Sequence, residues 1–194
     1  MGIVNSKQNV STLEDVLNLE PLNQKEIEAV KACWNAIKNK EQVGISIMIR
    51  IFQEHSEIKS KWIFATNLET EAEMLSNSQL RYHAKKIMDV IGKIVTKLIS
   101  CSDIDKFSVD EFELTRLGRN HFHYGVRREN FFVFEEAMLF SLKKHLTGNI
   151  TFNARMERAW HKLFWQISNK ISDGIELEEK ENSCLNKPEA NTID

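Results

Sequence analysis

No proline occurs between Pro21 and Pro188. Average usage would place about eight across such a span. Each proline removes a backbone donor and locks φ, so helix interiors shed it. Glycine points the same way, with only 7 in 194 residues. A sandwich or barrel of short strands needs more turn residues than this. The expected fold class is all-α.

Apolar residues recur at helical spacing through the proline-free stretch. Asn23 with Glu26 forms a capping-box pattern ahead of Ile27, Val30, Trp34 and Ile37. A second helix carries Val43, Ile47, Met48, Ile51 and Phe52, followed by an irregular segment over residues 56–75. The wide stripe Leu80, His83, Ala84, Ile87, Ile91, Ile94, Val95 and Leu98 predicts a long, mostly core-facing helix. Ser108 with Glu111 opens a shorter one bearing Leu114, Leu117 and His121, which Gly125 can terminate. Phe131, Phe134, Met138, Leu142 and Leu146 mark the next, stopped at Gly148. Met156, Ala159, Trp160, Leu163, Phe164, Ile167 and Ile171 mark the last, stopped at Gly174. Gly44 and Ala84 are a small-residue pair that would let two of these helices cross closely.

The polar first twenty residues and the acidic end (Glu176, Glu178, Glu179, Glu181) lack that pattern. The expected division is therefore a flexible extension at 1–21, one domain at 22–174 and a flexible acidic tail at 175–194. A net charge of −2 gives no basic excess, so nucleic acid is not an expected partner. The 3 cysteines, Cys33, Cys101 and Cys184, are far apart and odd in number, which suits a reducing compartment. No apolar run reaches membrane-span length and no signal-peptide core is present. The cytosol is the default location.

Two histidines face the interior. His83 sits among Leu80, Ala84 and Ile87; His121 lies one turn from Leu117 and two from Leu114. His123 does not, since its neighbours one turn back are Arg119 and Asn120. A single histidine on an apolar face is ordinarily a hydrogen-bonded core residue. Two on different helices among Phe and Ile suit a buried iron, and haem is the cofactor that brings a large apolar surface with it.

Several ordered motifs resemble globins over about residues 22–174. Leu117-Gly118-Arg119-Asn120-His121, then Gly125-Val126, is similar to the proximal-histidine segment of neuroglobin-like globins. His83-Ala84-Lys85-Lys86-Ile87-Met88 resembles the distal-histidine helix, and Leu68-Glu69-Thr70-Glu71-Ala72-Glu73-Met74 the segment before that helix in myoglobins. Trp34 resembles the tryptophan of the first globin helix, and Ala159-Trp160-His161-Lys162-Leu163-Phe164 a run in the last.

The resemblance implies the globin fold, with haem b (iron protoporphyrin IX) as cofactor and oxygen and other small gases as partners. It makes His121 the proximal iron ligand and His83 either a second ligand or a donor to the bound gas. Met48 and Ile87 would complete the distal wall, with Leu117, Val126, Phe131 and Phe134 on the proximal side and haem edge. For the aromatic that wedges against the haem, spacing selects Trp62 and residue type selects Phe64; Phe64 is preferred here. Two departures from the pattern stand out. Ser56 replaces the proline that opens the third helix in many globins, and the 38-residue step from His83 to His121 implies an insertion between Leu98 and Val109.

Met1-Gly2-Ile3-Val4-Asn5-Ser6 fits the N-myristoylation pattern at Gly2. One acyl chain gives only marginal anchoring, and no basic cluster accompanies it beyond Lys7. Weak association with the cytoplasmic face of the plasma membrane is the expectation. An acylated N-terminus on a bis-histidyl core resembles the globin X group. Three functions follow. The preferred one is a six-coordinate globin that binds gases reversibly and has a redox or signalling role near a membrane, with a redox partner protein. The second is a five-coordinate oxygen storage or transport globin, and the third a haem-free helical interaction module. No catalytic acid–base pair or flavin site is recognisable, so any enzymatic output, nitrite reduction for example, would belong to the haem.

Overall fold

The computed structural model describes residues 21–101, 107–109, 111–148 and 150–185, and every regular element among them is helical. The acylation pattern at Gly2 and the loop insertion before Val109 fall wholly or partly outside the described residues. No helix among the described residues is long and apolar enough to cross a membrane.

Helix α1 (Gln24–Ala36) opens at the capping box read from the sequence. Glu26 N–H donates to Asn23 Oδ1 at 3.0 Å, and Asn23 N–H donates to Glu26 Oε2 at 3.0 Å. Glu26 is fully buried and is also approached by Lys162 Nζ at 3.1 Å and Arg158 Nε at 3.0 Å. The capping acid thus ties α1 to the last helix.

Helix α2 (Lys40–Glu54) buries Val43, Ile47, Met48, Ile51 and Phe52. A Cβ on Gly44 would stand 2.6 Å from the Ala84 carbonyl oxygen and 2.8 Å from Met88 Cγ. The small pair therefore marks a close backbone crossing, which offsets the roughly 1 kcal/mol that glycine costs a helix interior.

The stretch expected to be irregular is instead divided into α3 (Ser56–Lys59), a 3-10 turn (Ile63–Ala65) and α4 (Glu71–Ser76). Ser56 still opens a helix without proline there. A second capping box starts α4, with Thr70 N–H donating to Glu73 Oε2 at 2.8 Å and Glu73 N–H to Thr70 Oγ1 at 3.3 Å. These elements are too short to show a helical period, so only the capping chemistry could have announced them.

Helix α5 (Ser78–Ser100) carries the expected wide apolar stripe and crosses α2. Helices α6 (Glu111–Phe122), α7 (Asn130–Lys144) and α8 (Ala154–Leu185) complete the described fold. Buried Ser141 donates to Ser46 at 3.2 Å between α7 and α2, and Trp34 of α1 meets Trp160 of α8 at 6.1 Å between ring centroids.

The last helix does not stop at Gly174. It continues to Leu185, and Ile175 is 2% exposed, so the helix stop expected at Gly174 is corrected. Gly174 serves a close approach rather than a stop. A Cβ there would strike the Thr115 carbonyl oxygen, and one on Gly118 would strike the Ile171 carbonyl oxygen. The two glycines let α6 and α8 cross backbone to backbone.

Candidate functional site

The α6–α8 and α2–α5 crossings leave an apolar slot between them. Its empty space is about 1080 Å³ counted to the open mouth. Met48 and Ile51 contribute from α2, His83, Ile87, Val90 and Ile91 from α5, Leu117 and His121 from α6. Val126 lines it from the turn after α6, Phe131 and Phe134 from α7, and Phe164, Ile167 and Ile171 from α8. Phe134 and Phe164 stack at 5.2 Å, with their planes 18° apart.

His121 is set by how α6 ends. Val126 N–H donates to the His121 carbonyl at 3.2 Å and Gly125 N–H to the Phe122 carbonyl at 2.9 Å, with Gly125 at φ +72°. This paired closure is a Schellman motif, which favours glycine at the left-handed position. The same turn that frees the chain from α6 brings Val126 to the wall beside His121.

Within the helix, His121 Nδ1 lies 2.8 Å from the Leu117 carbonyl oxygen. A carbonyl only accepts, so Nδ1 carries the proton and Nε2 keeps its lone pair. Burial pushes the His121 pKa below its ordinary value, and the bond to Leu117 partly opposes the shift. The ring is therefore neutral near pH 7 and leaves one defined lone pair, on Nε2, facing away from the Leu117 carbonyl.

His83 faces the same slot from α5. Burial, then repulsion from His121 and Lys86, pushes its pKa down to about 4, so it is neutral near pH 7. It makes no side-chain hydrogen bond among the described residues. The indole of Trp62 stands edge-on to it, 4.2 Å between ring centroids.

Of the residues expected around a haem, His83, His121, Met48, Ile87, Leu117, Val126, Phe131 and Phe134 all line the slot. Phe64 does not: Trp62, the residue that spacing selects, lines the slot, with Phe64 packed behind it at 5.6 Å and against Phe52 at 6.4 Å. Gly2 lies outside the described residues.

Several lining residues were not singled out from the sequence. Lys86 and Val90 follow His83 by one and two turns, so the helical period could have found them. Lys61 could not be found that way. Its Nζ donates to the Gly125 carbonyl at 2.6 Å, joining the chain ahead of Trp62 to the turn after His121 across a gap of 64 positions.

The donor set fits haem rather than a bare ion. No group of three or more His, Cys, Asp or Glu side chains that could hold a metal ion exists among the described residues. Two imidazoles suffice when a porphyrin supplies four further nitrogens. An apolar slot with exposed Lys61 and Lys86 in its lining suits a flat apolar group with an acidic edge.

A family model described as Globin matches residues 45–171. Neuroglobin of Tetraodon nigroviridis is 28% identical over 157 residues, covering 80% of this chain and 94% of that protein. Cytoglobin-2 of Oryzias latipes is 28% identical over 160 residues, covering 79% and 85%. A solved structure of a hexacoordinated haem protein from an anhydrobiotic tardigrade shares the fold, with TM-score 0.67 at 20% identity over 80% of this chain and 96% of that one. The matched span holds both histidines and every residue lining the slot, from Met48 to Ile171, and the chain belongs to the globin family.

Proposed function

We propose that this globin holds haem b between His121 and His83, binds oxygen and other diatomic gases reversibly, and rests with both histidines on the iron. The observation that carries the reading is the opposition of two neutral imidazoles in one apolar slot. One has its Nε2 lone pair fixed by Leu117, and the other lacks a hydrogen-bond partner among the described residues. Bound haem supplies an iron whose sixth position takes either a nitrogen ligand or a diatomic gas. The chain's part is to orient His121 through the Leu117 carbonyl, to exclude water with the Met48, Ile87, Phe131 and Phe134 walls, and to present His83 uncharged. An uncharged His83 can offer a lone pair from one nitrogen or a hydrogen bond from the other.

A six-coordinate resting state favours a redox or signalling role, with a redox partner protein. Acylation at Gly2 would add weak membrane association on the cytoplasmic face. Trp62 supports the second reading, five-coordinate oxygen storage or transport, because its edge contact restrains the His83 ring. The visible spectrum of the ferrous, deoxygenated protein separates the two. Two sharp bands between about 520 and 560 nm mean low-spin, six-coordinate iron, and one broad band near 555 nm means an open sixth position. His121→Ala is expected to lose haem, and His83→Ala to keep it with altered ligation. An unchanged spectrum in His121→Ala would refute the ligand assignment. Intact-mass measurement of protein from a eukaryotic host tests Gly2; an unmodified N-terminal glycine removes the membrane role.

A further inference from the structure

The family match ends at residue 171, yet α8 runs on to Leu185. These added turns are not a free solvated helix end. Ile175 is buried, and the carboxylates that follow it converge on the basic residues flanking His121. Arg119 Nη1 reaches Glu178 Oε2 at 2.9 Å and Glu181 Oε2 at 2.7 Å, while its Nη2 reaches Glu181 Oε1 at 2.7 Å. His123 Nε2 lies 3.1 Å from Glu178 Oε1. Beyond the turn, Arg128 donates to Glu176 Oε1 at 2.8 Å and to Asn169 Oδ1 at 3.0 Å. Asn182 holds Glu178 in place, donating to its carbonyl at 2.8 Å and its carboxylate at 3.2 Å.

We infer that residues 175–182 form a clamp on the proximal helix, and that Arg119 is the positioning residue through which it keeps His121 in register. Arg119 precedes His121 by two positions and Arg128 follows it by seven, so both flanks of the Gly125 turn are pinned to the same helix, α8. The last turn of α6 would otherwise fray, as helix ends do when few partners hold them. The fork of Arg119 on Glu181 is bidentate, the geometry in which an exposed ion pair contributes most. Gly118 directly precedes Arg119, and Gly174 precedes Glu178 by one helical turn and Glu181 by two, so the clamp extends an existing backbone contact.

This inference rests on His121 being the haem ligand, and the experiment keeps the two apart. Full-length wild type, Arg119→Gln and the pair Glu178→Gln/Glu181→Gln are loaded with hemin, and its transfer to excess apomyoglobin is timed. Amide exchange is followed on the same proteins. Both variants are expected to lose hemin about three- to tenfold faster than wild type at low salt. Raising salt to about 1 M should bring wild type toward them while changing them less, since the Arg128–Glu176 pair remains in both. Exchange should quicken at residues 119–126 and stay constant at the α2–α5 crossing. Arg119→Glu combined with Glu181→Arg should restore part of the retention. Unchanged hemin loss in a variant that still folds overturns the clamp, as does faster exchange spread evenly over the chain. A wild type that takes up no hemin refutes the haem reading alone, and local exchange at residues 119–126 then decides the clamp.

Discussion

Glu26 shows how much one side chain can be asked to do. As the third residue of α1 it closes a capping box, and its carboxylate also meets Lys162 and Arg158 of α8. Burial pushes its pKa up, but the Asn23 amide, Lys162 and Arg158 together push it further down, so the net shift is below the ordinary 4.5. A carboxyl depressed in the folded state stabilises the fold above its unfolded pKa, and that stability is lost as pH falls through the folded value. Glu26→Gln is expected to cost about 1–3 kcal/mol near pH 7, from the charged hydrogen bonds it weakens. Urea midpoints across pH should show the wild-type advantage shrinking once pH drops below 4.5. A gap that held constant into acid would rule out this coupling. The capping half of the role was legible in the Asn23–Glu26 spacing; the ion-pair half joins positions 136 apart and left no local signal. The same divide separates Trp62 from Phe64, since only packing tells which aromatic reaches His83.

Among the elements, the α6–α8 crossing carries the most instructive test. On helix propensity alone, Gly118→Ala should gain about 1 kcal/mol. The Ile171 carbonyl lies where the new methyl would go, and backbone cannot swing aside as a flexible side chain can. Net destabilisation of about 1–3 kcal/mol is expected, with Gly174→Ala similar and the double variant less than additive. Thermal melts decide the sign. A gain in stability would mean that the two backbones are not in contact. The misreading of Gly174 as a stop has the same root. A glycine after an apolar run looks alike whether it ends a helix or lets another backbone approach, and the acidic residues after it hid the continuing helix because their partners, Arg119 and Arg128, are far away in sequence.

For the whole molecule, the slot draws its lining from α2, α5, α6, α7 and α8, so a group held there touches most of the fold. Haem binding should therefore stabilise the fold by linkage, about 2.7 kcal/mol at a hundredfold excess over the dissociation constant. Hemin removal is expected to lower the melting temperature, and readdition to His121→Ala should restore little of it. Full restoration in that variant would remove His121 from the holding role. By itself, the sequence determined the helical class, the capping box of α1, the α2–α5 crossing at Gly44 and Ala84, and the two histidines. These follow from proline exclusion, local capping chemistry and a 3.6-residue period, each readable within one stretch of chain. Only the tertiary structure decided that Trp62 and not Phe64 lines the slot, that Lys61 reaches Gly125, and that α8 passes Gly174 to grip Arg119. Those contacts join residues far apart in the chain, and their identity depends on which backbones approach one another, a property no single segment carries.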